Sequence, residues 1–62
     1  MAYTVIWDGK EGVLEKAPFQ DEASAKSYAV AVFPARKMDY GVVAAEVWDD
    51  SGKVVFRYPN GQ

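Results

Sequence analysis

Two stretches of the chain, WDGKEGVLEK at 7–16 and WDDSGKVVFR at 48–57, align without a gap. Each opens on Trp-Asp, crosses four turn-like residues, and continues in Val, then Leu or Val, a variable position and a basic residue. Upstream of the first lies Tyr3-Thr4-Val5-Ile6, and upstream of the second Val42-Val43-Ala44-Ala45-Glu46-Val47, both rich in strand-forming residues. Glycine, Asp and Ser between such runs are turn chemistry: Gly takes positive φ, and Asp and Ser bond the backbone just ahead of them. The pair therefore reads as two β-hairpins. The predicted strands run about 3–7, 13–17, 42–48 and 53–58, with the first hairpin closed by Ala17-Pro18-Phe19 because proline cannot donate to a ladder.

Between the hairpins the period changes. Asp21 is placed as a helix N-cap, with Glu22 where the helix dipole favours negative charge. Ala25, Tyr28, Ala29 and Val32 follow at i, i+3, i+4 and i+7, one helical face. Glu22 and Lys26 are ordered for a favourable i,i+4 pair. Pro34 disfavours the α conformation at Phe33, which predicts a helix over about 21–33 and a connector over 35–40 ending at Gly41. Residues 59–62 read as a frayed tail. The expected fold is α+β, ββαββ: a four-stranded antiparallel sheet from two hairpins, with one helix packed on one face. Residues 1–62 make one small domain. The organisation is similar to that of the small free-standing ββαββ proteins of bacteria and their phages, with no residue motif that ties it to a named family.

A domain of this length buries only about 60% of the surface its unfolded chain exposes, so its core leaves a thin margin. Disulfides, a metal or a partner chain commonly make up the difference. The sequence has no cysteine and no histidine, which removes disulfides and the ordinary ligands of structural zinc. Self-association is the remedy left, and a homodimer is the expectation.

The acids beside the tryptophans invite a metal reading, which fails on spacing. An EF-hand loop needs a Gly at about position six and a Glu at about twelve. Counting from Asp49, Gly52 comes too early and the twelfth residue is Asn60. Neither metal nor cofactor is expected. Catalysis finds no support either: there is no His for acid–base work, no Cys nucleophile, and no basic partner for Ser24, Ser27 or Ser51. No stretch approaches the roughly 20 apolar residues that span a bilayer, and the N-terminus lacks a signal-peptide pattern, so cytoplasmic location is the expectation.

Half the residues are hydrophobic and 15% aromatic, and both sheet faces carry apolar side chains in either plausible register of the second hairpin. A four-residue loop groups Val54 and Phe56 with Val47; a three-residue loop with a glycine bulge groups them with Trp48 instead. One helix covers one face only. The exposed remainder predicts a non-catalytic protein-interaction domain, self-associating or docking on a larger protein through the helix-free face or a sheet edge. Tyr3, Trp7, Trp48 and Arg57 are the candidate contact residues, as Trp, Tyr and Arg dominate interface hot spots. A phage-type inhibitor of a host protein is one form of this. Single-stranded nucleic acid stacking on the same aromatics is the alternative, weakened by a net charge of −2.

Overall fold

The computed structural model describes residues 2–59, so Asn60-Gly61-Gln62 of the expected tail lie outside the described residues. Strands β1 (Tyr3–Gly9) and β2 (Gly12–Phe19) form the first hairpin. Helix α1 (Glu22–Tyr40) follows, then the second hairpin, β3 (Val42–Trp48) and β4 (Val54–Tyr58). All pairings are antiparallel and the strand order is β2-β1-β3-β4. The hairpins thus meet through β1 and β3, and α1 lies across one face of the joined sheet. This is the ββαββ, α+β fold that the sequence predicts.

Alternation along the central strands sends Val5 and Trp7 of β1, with Ala45 and Val47 of β3, to the helix side. There they meet Ala25, Ala29 and Phe33 of α1 in one cluster. Alanines at the first two positions put little bulk between the helix and the sheet. Tyr28 reaches Trp7 edge-on at 5.9 Å between ring centroids, and Phe33 reaches Tyr58 edge-on at 5.2 Å.

The helix starts as the sequence predicts. Asp21 accepts from the Ser24 backbone N–H at 2.9 Å and from its hydroxyl at 3.0 Å. Lys26 and Glu22 pair at 2.8 Å. Its end corrects the sequence reading: α1 does not stop near Phe33 but runs through Pro34 to Tyr40, so 35–40 is helical and not a connector. Proline at 34 forfeits one hydrogen bond to the carbonyl of Val30. Both residues lie on the exposed side, where water can serve that carbonyl. The helix is held across the proline by buried Phe33 just before it and by Arg36 just after, which pairs with Glu15 of β2 and donates to the Tyr28 hydroxyl at 3.4 Å. Gly41 ends the helix with φ 72°, and its N–H reaches the carbonyls of Arg36 and Lys37.

Strand β2 also outruns its expected end, pairing Pro18 with Thr4 and Phe19 with Tyr3. As an edge strand it has a side without a ladder partner, which accommodates a residue lacking an N–H. The second hairpin follows neither expected register whole. Its tip is the three-residue loop: Asp49 N–H donates to the Lys53 carbonyl at 2.9 Å, and Gly52, at φ 90°, donates to Asp49 at 3.0 Å. Trp48 accordingly faces Val54, but Val55 is then inserted as a bulge and Val47 faces Phe56. One extra residue returns Phe56 and Tyr58 to the helix side while Trp48 and Val54 stay on the other.

Candidate interaction surface

The helix-free face is built from three rows of the ladder. The first holds Pro18, Thr4, Trp48 and Val54, the second Lys16, Ile6, Glu46 and Arg57, and the third Val13, Asp8 and Ala44. No helix covers Ile6, yet it is 4% exposed. Lys16 and Glu46 flank it directly and Trp48 lies diagonally across, so the face shields its own centre with amphipathic side chains.

Trp48 is half-buried and held in place. Its indole N–H donates to Glu46 Oε1 at 2.9 Å, and Arg57 donates to Glu46 Oε2 at 3.1 Å. One carboxylate therefore orients both an aromatic and a guanidinium. Asp8 stands beside this group with its carboxyl pushed above the ordinary range, chiefly by burial, then by the Glu46 charge, against an opposing pull from Arg57. A groove of about 330 Å³ runs along the face, walled by Lys16 and Val13 on one side and Asp49 and Asp50 on the other, with Thr4, Ile6 and Trp48 between.

The turn acids are occupied by the turn. Asp49 Oδ1 accepts from the Ser51 hydroxyl at 2.7 Å and from the backbone N–H groups of Ser51 and Lys53 at 2.9 Å each. Those bonds, led by the Ser51 hydroxyl, lower its pKa. Among the described residues, no group of three or more acidic, His or Cys side chains is placed to hold a metal ion.

Of the four residues nominated from sequence, Trp48 and Arg57 lie together on this face. Tyr3 packs against the core on the helix side. Trp7 is a correction: at 0% exposure it belongs to the core and offers nothing to a partner. Glu46, Lys16 and Ile6 were missed as members of the site. Strand alternation groups each with its own neighbours, but only the β1–β3 pairing brings them to Trp48.

A second cleft, about 340 Å³, opens on the helix side between Leu14, Glu15, Arg36, Tyr40, Val42 and Trp7. The Arg36 guanidinium sits 5.6 Å from the Trp7 ring and 5.3 Å from the Tyr40 ring, a cation between two aromatics. The Trp7 indole N–H is buried without an acceptor. Reading 35–40 as a connector hid this arrangement, whose signal is the i,i+4 spacing of Arg36 and Tyr40 on a helix that continues.

Both sheet edges are blunted. On β2 the residue Leu14 is inserted as a bulge, and Lys16 and Pro18 follow it. On β4 the bulge at Val55 leaves only Phe56 to Tyr58 in regular ladder. Bulges, lysine and proline are the devices that keep an edge from pairing with another strand.

The fold and the surface together define a class, a small α+β sheet domain with one bare, charge-bordered aromatic face. Comparison with protein-family models, with curated proteins and with solved structures finds no match.

Proposed function

We propose that the chain is a non-catalytic protein-interaction domain that docks through its helix-free face, with Trp48 as the anchor. The supporting observation is Trp48 itself: a large aromatic, partly exposed, fixed by Glu46 and set in a groove on a face no helix covers. A ring immobilised in advance loses little side-chain entropy on binding, which is how an anchor residue gains affinity. Arg57, held by the same carboxylate, borders the contact. Trp7 serves this function only by supporting the sheet from behind.

The surroundings of Trp48 argue against single-stranded nucleic acid as the ligand. Glu46 is bonded to the ring and Asp49 and Asp50 line its groove where a stacked base would bring its phosphates, against Lys16 and an Arg57 already paired with Glu46. The test is capture on the immobilised chain, wild type against Trp48→Ala, with circular dichroism confirming that both are folded. Bound protein should be lost with the indole. Equal capture by the two chains, in the absence of any self-association sensitive to Trp48, defeats the reading.

A further inference from the structure

We infer that the occupant of the Trp48 groove is a second copy of this chain, packed face to face across a two-fold axis. The inference rests on the interaction reading above and names its partner. Lys16 and Asp50 stand on opposite walls of the groove, and neither is in an ion pair among the described residues. A two-fold axis lying in the face midway between them sets each Lys16 against the other copy's Asp50, twice over. Any interface of this kind must be self-complementary, and opposite charges on opposite walls supply that condition.

The ladder fixes what else such an axis does. With strands about 4.8 Å apart and residues rising about 3.3 Å, an axis perpendicular to the Lys16–Asp50 line runs diagonally over the sheet, past Glu46 and Arg57. It brings Arg57 of one copy to Glu46 of the other and seats Trp48 against the other copy's Thr4, beside the Lys16 and Glu46 side chains that cover Ile6. The strands of the two sheets then cross near right angles, one of the two standard ways sheets stack. Residues beside a two-fold axis also face their own copies, so the two Glu46–Arg57 pairs meet there as one alternating cluster.

The area sets the strength. Four strands at about 4.8 Å spacing and some 20 Å of strand length give a footprint of about 400 Å², half the ~800 Å² per partner of a stable complex. The dimer is therefore weak and forms with rising concentration. The blunted edges close the other route, lateral extension of the sheet.

Sedimentation velocity from micromolar to millimolar chain, with circular dichroism as the check on folding, tests this. Wild type should pass from monomer to dimer. Lys16→Glu and Asp50→Lys should each weaken association by about fivefold or more, since each opposes like charges at two symmetric sites, and the double variant should recover most of the loss. Trp48→Ala should abolish the dimer. A chain monomeric at millimolar concentration overturns the inference, as does a double variant no better than the singles. If the chain stays monomeric while Trp48→Ala still costs it a captured protein, the dimer falls and the interaction reading stands. If Trp48→Ala changes neither, both fall.

Discussion

The two Trp-Asp pairs begin alike and end in opposite environments. Trp7 is wholly buried against α1, whereas Trp48 lies partly exposed on the bare face. Their aspartates diverge too: Asp8, partly buried beside Glu46, has its pKa raised, and Asp49, bonded by Ser51 and Lys53, has its pKa lowered. The cause is the pairing of β1 with β3, in which Thr4 faces Trp48 and Trp7 faces Ala45. Residues directly opposite share a face, and Thr4 and Trp7 are three apart on one strand. The tryptophans must therefore point to opposite sides. A local motif decides that a hairpin forms; a partner strand distant in sequence decides what its first residue does.

The largest expected effect separates the two rings. Trp7→Ala should cost about 3–5 kcal/mol, as removal of a buried aromatic does. A domain of this size has only about 3–9 kcal/mol in total, so this one substitution should remove about a third or more of its stability. Trp48→Ala loses one hydrogen bond and part of a buried ring, about 1 kcal/mol, and should remain folded. Urea melts of the two variants check this, and equal midpoints would erase the distinction between core and surface indole.

Next come the turns. Gly52→Ala forces a side chain into φ 90° and should cost about 1–2 kcal/mol. At Gly9 a Cβ would meet the Leu14 side-chain tip at 2.9 Å, and that exposed tip can swing aside. Gly9→Ala should accordingly cost less than Gly52→Ala in the same melts.

The smallest effect is in pH dependence, and its sign differs between the aspartates. The folded-state pKa of Asp49 is below its unfolded value, so its contribution is present above the unfolded pKa and lost as pH falls through the folded one. Asp8 is the reverse: folding raises its pKa, its ionised form opposes folding at neutral pH, and protonation relieves the cost. Asp8→Asn should raise the thermal midpoint at pH 7 and remove the stabilisation that protonating Asp8 supplies as pH falls, steepening the acid loss set by Asp49 and Asp21, while Asp49→Asn should lower the midpoint at pH 7. Shifts of the same sign for both would contradict the structural difference between the two pairs.

What the sequence made legible was local. Strand alternation, the Asp21 cap, the Glu22–Lys26 pair and the Gly52 turn are each decided by neighbours within a few residues, and each stands where it was expected. The helix end was not legible, because the proline rule is local while the anchors on either side of Pro34, Phe33 in the core and Arg36 on Glu15, depend on the sheet lying alongside. Assigning Trp7 to the contact surface failed for a related reason. Alternation separates Tyr3, Val5 and Trp7 from Thr4 and Ile6, but it does not say which group the helix covers. Bulges at Leu14 and Val55 have no sequence signature here, and each reassigns the face of the residues that follow.

The division between the indoles also equips the chain with two internal reporters. Trp7, sealed in the core and within 5.6 Å of the Arg36 guanidinium, should emit at short wavelength and resist a soluble quencher until the fold opens. Trp48, at the surface and bonded to a carboxylate, should emit further to the red and be quenched readily unless something covers it. Unfolding and docking would then register as separate optical signals in an unlabelled protein, one ring answering for each.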